Sequence, residues 1–383
     1  MTRIYLDHAA TTTVRPEVVE TMVPLLRAGY NPSSLHAEGR AARAALDEAR
    51  LAVARVLHAA PREVVFTSGG SEADVLAIVG AARARAQTGR HVVTSAIEHH
   101  AVLHAVDVLE AAGWEVTRLP VDARGLVDPQ TFAAALTPRT TLASVMLANN
   151  EIGVIEPITE LAGIAHAHGV LFHTDAVQAA GWLPLDVEAL GVDLLSISAH
   201  KFNGPKGVGV LYVRRGTPLE PLIVGGGHEH GLRAGTENLA GIAGLARALT
   251  LAEDERAEAA ARVAHLRDAL QETAVASIPD VVVNADGAPR LPTILSLAFA
   301  DAPSDVVLMR LDLEGIAASA GSACAAGSLE PSHVAAALGL SARHRFGMIR
   351  LSLGRTTTQA EIDTVRERLP ELLADVRTPA TVI

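Results

Sequence analysis

The run Ser196-Ile197-Ser198-Ala199-His200-Lys201-Phe202 passes straight into Asn203-Gly204-Pro205-Lys206-Gly207, so Lys201 sits where an apolar strand pattern gives way to an irregular turn. An amine in that position becomes a nucleophile toward a carbonyl when its surroundings lower its pKa, although most lysines after a strand are solvated surface groups. Leu171-Phe172-His173-Thr174-Asp175-Ala176-Val177-Gln178 adds a second clue: its apolar residues end in a carboxylate at the C-terminal tip of a strand, where open α/β sheets bind ligands. Alone, Asp175 reads as a helix N-cap. Beside a reactive lysine it reads as the counter-charge of a protonated pyridine nitrogen, which keeps such a ring an electron sink.

Phe66-Thr67-Ser68-Gly69-Gly70-Ser71-Glu72 is a strand, a glycine turn and a helix start, which brings unpaired backbone N–H groups and hydroxyls to one point. That arrangement suits a phosphate, yet it lacks the lysine of a P-loop and the spacing of a dinucleotide fingerprint. Seen in isolation it is a loop. Glu98-His99-His100 follows another strand, and an imidazole there can stack on a ring and exchange protons near neutral pH, or be a solvated turn feature. Cys324, the only cysteine, lies in Gly321-Ser322-Ala323-Cys324-Ala325-Ala326-Gly327-Ser328. Small residues and glycines predict a mobile loop carrying a reactive thiol; a buried structural cysteine would want apolar neighbours that this stretch lacks.

These groups need a scaffold with strand ends converging on a cleft, and the chain is long enough to build one. Its 383 residues predict a large domain over residues 15–255 and a smaller one from 1–14 and 256–383 that carries the cysteine. Strand patterns fall at Glu63–Thr67, His91–Ser95, Glu115–Leu119, Leu142–Met146, Leu171–Thr174, Leu194–Ser198 and Val208–Val213. Helical periods lie between them at Ala37–Leu57, Ser71–Gln87, His100–Ala112, Asp128–Leu136 and Ile158–His168. The alternation predicts an α/β fold with a mainly parallel seven-stranded sheet and helices on both faces. One long helical stretch, Asn238–Val275, bridges to a smaller α+β unit with apolar runs at Thr293–Phe299 and Met348–Leu353 and helices at Ser304–Leu313 and Gln359–Ala374.

Composition removes several classes of function. A net charge of -11 without clustered Lys and Arg argues against direct nucleic-acid binding. Charged residues interrupt every apolar run before the ~18 residues a membrane span needs. One cysteine cannot close an intrachain disulfide, and the start MTRIYLDHAATT lacks the basic and apolar regions of a secretory signal, so a cytoplasmic location is expected. His228-Glu229-His230 has the residue types of a metal site, but no Cys or further His completes a shell nearby in sequence, and no metal is expected.

The ordered motifs together resemble the cysteine desulfurase family, in particular the NifS/IscS-like group among fold-type I pyridoxal-phosphate enzymes of the class V aminotransferase superfamily. The resemblance spans nearly the whole chain. It rests on Tyr5-Leu6-Asp7-His8-Ala9-Ala10-Thr11-Thr12, Asn31-Pro32-Ser33-Ser34, Asn149-Asn150-Glu151-Ile152-Gly153, Ser198-Ala199-His200-Lys201, Gly225-Gly226-Gly227-His228-Glu229, Arg233-Ala234-Gly235-Thr236, Gly321-Ser322-Ala323-Cys324, Ser328-Leu329-Glu330-Pro331 and Ile349-Arg350-Leu351-Ser352-Leu353-Gly354. It implies that Lys201 bonds the aldehyde of pyridoxal 5'-phosphate, Asp175 holds the pyridine nitrogen, His99 stacks on the ring, and Gln178 and Asn150 contact the ring hydroxyl or the substrate. It also implies a phosphate held by Gly70, Ser71, Ser198 and His200 with Thr236 from the second subunit of a homodimer, and a substrate carboxylate clamped by Arg350. The family usually has Thr, Asn and Arg where this chain has Ser71, Asp74 and His230, and Tyr or Asn where it has His8; His230 makes one charge near the cleft conditional on pH.

The implied reaction removes sulfur from L-cysteine. Lys201 takes the α-proton, the Cys324 thiolate attacks the substrate sulfur, and alanine and an enzyme persulfide result. The sulfur then passes to an acceptor such as an iron–sulfur scaffold or a tRNA-thiolation enzyme. An aminotransferase or lyase on the same fold would need Lys201 and Asp175 but no thiol on a small-residue loop. Selenocysteine cleavage is compatible with the same residues, and a non-catalytic sulfur-assembly subunit would not need Lys201 or Asp175.

Overall fold

The computed structural model describes residues 3–321 and 332–377. Its largest element is a seven-stranded sheet made of β2 (Val64–Thr67), β3 (His91–Ser95), β4 (Glu115–Leu119), β5 (Thr140–Ser144), β6 (Leu171–Asp175), β7 (Leu194–Ser198) and β8 (Gly209–Val213), in the spatial order β2-β8-β7-β6-β5-β3-β4. The five strands from β7 to β4 run parallel, whereas β8 is antiparallel to both β7 and β2. The reason lies in connection length. Parallel neighbours need a crossover of a dozen or more residues, and the short passage from Ala199 to Val208 permits only a reversal. Strands β3 and β5–β8 are buried along their whole length apart from Leu171, as expected for strands covered by helices on both faces.

A second, antiparallel sheet has the order β12-β10-β9, with β9 at Val281–Val283, β10 at Ile294–Phe299 and β12 at Met348–Ser352. The chain's start forms β1 (Ile4–Tyr5), parallel to β11 (Ile316–Ala317). Beyond β1 the chain reaches across to the large sheet: Asp7 bridges to Ser352, Ala9 N–H donates to Ser352 Oγ (2.9 Å), and Thr12 N–H donates to the His200 carbonyl (2.9 Å). One apolar cluster contains residues of both sheets, including Leu195 and Ile197 of β7 with Leu295 and Leu297 of β10.

Several helices differ from the sequence expectation for identifiable reasons. The long bridge is two helices, Leu239–Asp254 and Arg256–Ser277, broken at Glu255, whose carboxylate takes two hydrogen bonds from Arg15 (2.9 and 2.7 Å). The helix expected over Ser71–Gln87 starts at Gly70 and loosens into a π-type turn at Leu76–Gly80, where Gly80 lies so close to the Glu220 carbonyl that a Cβ would stand 2.6 Å from it. A helix at Pro16–Ala28, entered by proline at its first turn, and a short one at His333–Ala337 were not anticipated. Among the described residues, no helix is long and apolar enough to cross a membrane.

Candidate functional site

Strands β6 and β7 are neighbours, with Asp175 in register with Ser196, so the C-terminal tips of both open at the same edge of the sheet. Asp175 ends β6 and Lys201 closes the single turn of 3-10 helix that follows β7. The helix starting at Gly70 and the turn Glu98-His99 before the helix His100–Ala111 come from the strands β2 and β3 to the same side. As a result Gly70, Ser71, His99, Asn150, Asp175, Gln178, Ser198, His200, Lys201 and Arg350 line one cavity of about 260 Å³. Thr236 is not among its walls; it lies exposed just before the helix Leu239–Asp254. Cys324 lies outside the described residues, although Gly321 and His333, which flank its segment, do face the cavity.

Hydrogen bonds fix these groups. Lys201 Nζ donates to the carbonyl oxygens of Ala9 and, at 3.0 Å, Ala10. Gln178 Nε2 donates to the same Ala9 oxygen (2.8 Å), so the Tyr5–Thr12 motif forms a wall of the site. His200 Nδ1 meets Thr11 Oγ1 at 3.1 Å. Asp175 Oδ1 accepts from Val177 N–H (2.8 Å). Burial pushes the Asp175 carboxyl up to about 6, against the pull of the Val177 N–H and the Lys201 charge. Asp74, fully buried in the same cavity, is raised well above the carboxylate range, first by burial and then by the nearby Asp175, and its Oδ1 has no hydrogen-bond partner.

His99 caps its helix through Nδ1, which accepts from Ala101 N–H (3.1 Å). Burial, followed by the Lys201 charge and the neighbouring His100, His333 and His104, lowers its pKa to about 4. The imidazole is therefore a neutral base at pH 7 in this structure, where the sequence had suggested a group titrating near neutrality. His200 is likewise lowered to about 4 by burial, Lys201 and Lys206. Arg350, on β12, is buried; its Nη1 donates to the carbonyls of Asn150 and Gly321 (both 2.8 Å) and its Nη2 to Asp7 Oδ1 (2.9 Å), while Nε has no partner among the described residues.

The sequence reading gave no role to Asp7, Ala9, Ala10, Asp74, Glu151 or His333, all of which reach this region. Asp7, Ala9, Ala10 and Glu151 sat in motifs that stood out as runs, but only the folded chain shows which of their atoms face inward. His230 lies outside the cavity, in a left-handed turn with Glu229 (φ 60° and 46°). Glu229 is engaged by Arg50 (2.6 and 2.9 Å) and by Phe66 N–H (2.8 Å).

The family model described as aminotransferase class-V matches residues 4–365. A cysteine desulfurase IscS of Dictyoglomus turgidum is 48% identical over 376 residues, covering 98% of this chain and 95% of that protein. The chain belongs to the cysteine desulfurase family of class-V aminotransferases. A further member, a cysteine desulfurase of Cereibacter sphaeroides, is 47% identical over 382 residues, covering 98% of this chain and 97% of its own. Among solved structures, a NifS-like protein superposes with a TM-score of 0.91 at 36% identity, covering 98% of this chain and all of that one. A structure titled "SspA in complex with cysteine" gives 0.83 at 37% identity, covering 93% of this chain and all of the other. The desulfurase likeness thus extends over both sheets and is not confined to the motifs around Lys201.

Proposed function

We propose that this desulfurase holds pyridoxal 5'-phosphate in the cavity between Lys201 and Asp175, takes L-cysteine as substrate, and stores the removed sulfur as a persulfide on Cys324. One observation carries the reading: an amine and a buried carboxylate from adjacent strand ends share a cavity with a glycine-initiated helix. The residues present fit the cofactor. At Gly70 a Cβ would stand 2.8 Å from Val177 Cγ2 and 3.3 Å from Ser198 Cβ, so glycine is what lets the start of this helix pack closely against Val177 and Ser198. Gly70, Ser71, Ser198 and His200 would hold the phosphate, Lys201 the aldehyde, Asp175 the ring nitrogen, His99 the ring face, and Gln178 and Asn150 the ring hydroxyl or substrate. When bound, the group supplies an electron sink for charge developing at the substrate's α-carbon.

The chain's own residues do the rest. Asp175 is held by burial close to the point of ionisation, and a cationic ring nitrogen would draw it into the charged form. Arg350 orients the substrate carboxylate through its planar guanidinium. Lys201 accepts the α-proton, and His99, neutral at pH 7, is available for a second proton transfer. The Cys324 thiolate attacks the substrate sulfur: an S–S bond forms, the Cβ–S bond breaks with its electron pair going to carbon, and protonation of that carbon yields alanine. Atoms balance as cysteine plus enzyme thiol giving alanine plus enzyme persulfide.

We further propose a homodimer whose second subunit brings Thr236 to the phosphate; the exposed position of Thr236, away from its own cavity, supports this. We also propose the division into a large domain of residues 15–255 and a smaller one of residues 1–14 with 256–383; the separation of the two larger sheets in the chain supports it. A cytoplasmic location and an acceptor such as an iron–sulfur scaffold or a tRNA-thiolation enzyme complete the proposal. The test is to purify the protein, record its visible absorption and measure alanine formed from cysteine. Lys201→Ala is expected to lose the yellow absorption, while Cys324→Ala keeps it and forms no persulfide. A colourless wild-type protein that cannot be loaded with pyridoxal phosphate would overturn the reading.

A further inference from the structure

Gly321 and Ser332 stand on either side of residues 322–331, the segment that contains Cys324, and both meet the side chain of one residue, Glu151. Ser332 Oγ donates to Glu151 Oε2 at 2.6 Å. Gly321, at φ +94°, passes so close that a Cβ there would lie 2.6 Å from the same oxygen. The Gly321 carbonyl accepts from Arg350 Nη1 (2.8 Å), and that nitrogen also holds the carbonyl of Asn150, the residue before Glu151. Ser319 is tied to Arg350 by a reciprocal pair of backbone hydrogen bonds (3.2 and 2.7 Å). Glu151 is itself almost completely buried, and its backbone is set by Asn149 Oδ1, which accepts from Glu151 N–H (2.8 Å) and Ile152 N–H (2.9 Å). A carboxylate buried where two stretches of the chain meet is costly to place there without a role.

We propose that Glu151 is a positioning residue for the sulfur-transfer step: through its hydrogen bond to Ser332 and its contact with Gly321, it fixes where the Cys324-bearing segment leaves and rejoins the cavity wall. The inference rests on the desulfurase reading above. Fixing both flanks on one side chain holds the two attachment points of that segment in a constant relation to the cavity wall, a condition for orienting a reacting group carried between them. Glu151 acts through geometry. It touches the flanks of the segment and is assigned no part in holding the cofactor.

Two readouts separate this role from general destabilisation. The first is limited proteolysis of the cofactor-free protein with elastase, which prefers small residues such as those of 322–331. The second is the rate of persulfide formation on Cys324 in a single turnover, set beside the spectral change on cysteine binding. Glu151→Ala is expected to be cut faster and to form persulfide about tenfold more slowly, the worth of one buried hydrogen bond, with cysteine binding unchanged. Ser332→Ala should do the same. Glu151→Gln, whose amide oxygen can still accept from Ser332, should recover most of both properties. Wild-type proteolysis in Glu151→Ala, or Glu151→Gln as impaired as Glu151→Ala, would overturn the proposal. If the wild type forms no alanine from cysteine, the desulfurase reading fails, while the proteolysis comparison still judges the anchor.

Discussion

The Lys201 ammonium donates to the carbonyl of Ala9, 192 positions earlier in the chain. The contact exists because the chain's start is pinned at both ends of its crossing, by β1 against β11 and by Thr12 against the turn that carries the lysine. The amine donates to two backbone carbonyls, and these hydrogen bonds orient it. The same Ala9 oxygen takes the Gln178 amide, so the N-terminal motif positions two of the proposed cofactor contacts at once.

Thr12 is the fastening of this crossing. Its hydroxyl donates to the His200 carbonyl (2.8 Å) and accepts from Asn203 N–H (2.8 Å), on either side of Lys201. Thr12→Val keeps the shape and removes both bonds, leaving the buried Asn203 N–H without its acceptor while the His200 carbonyl keeps the residue-12 N–H. A loss of about 1–3 kcal/mol is expected, read as a lower unfolding midpoint in denaturant. An unchanged midpoint would show that the crossing is held by its other contacts and not by the Thr12 hydroxyl.

Asp175 carries opposite consequences for stability and function. Its folded-state pKa, about 6, lies above the model-compound value of 3.8. At low pH both folded and unfolded states are neutral here; as pH rises the unfolded state ionises first, so stability falls until the pH passes 6. Asp175→Asn cannot ionise, so the cofactor-free variant should be the more stable, by a margin that widens from pH 5 to pH 8 toward a ceiling on the order of 3 kcal/mol. Thermal melts of the cofactor-free proteins at the two pH values measure this. In the loaded enzyme the same change should lower kcat about a hundredfold or more, because the fixed charge opposite the ring nitrogen is gone. An equal margin at both pH values would mean that burial does not raise this carboxyl.

Much of this site could be read before the fold was seen, because its parts are local. Lys201, Asp175 and Gly70 each end or follow a strand of β-branched or aliphatic residues, and period and turn chemistry mark such places directly: β3, β4 and β7 begin and end where the pattern said. What stayed hidden is long-range. No pattern in Tyr5–Thr12 says that its carbonyls meet an amine beyond β7, and none in Asn149-Asn150-Glu151 says that the glutamate meets Ser332. The orientation of β8 was within reach, since the connection after Lys201 is too short for a crossover. The two-helix structure around Glu255 was not, because helix propensity runs through the break and a distant residue, Arg15, marks it.

The turn bearing His228, Glu229 and His230 gives a prediction about stability alone. Arg50 and Glu229 form a buried ion pair, with Arg50 also donating to the Val64 carbonyl (2.5 Å) and lying over the Phe66 ring (4.8 Å). Arg50→Met retains the volume and strands the carboxylate, so a loss of about 3–5 kcal/mol is expected by chemical denaturation. Arg50→Met paired with Glu229→Gln should recover a large part, because the uncompensated charge is then absent. A double variant no better than the single one would locate the loss in Arg50's contacts with the Val64 carbonyl and the Phe66 ring.

The Arg350 guanidinium is both a structural donor and the proposed clamp for the substrate carboxylate. Its Nη atoms serve Asn150, Gly321 and Asp7, leaving Nε as the donor without a partner in this structure. Lysine offers one nitrogen on a flexible stem and cannot reproduce that fork. Arg350→Lys should therefore raise KM for cysteine about tenfold or more. Cysteamine, which is cysteine without the carboxylate, separates the two roles: if Arg350 clamps the substrate, the variant and the wild type should bind cysteamine alike, as judged by the spectral change each gives on titration. Equal weakening toward cysteine and cysteamine would instead assign Arg350 to holding the wall of the cavity, with the carboxylate bound elsewhere.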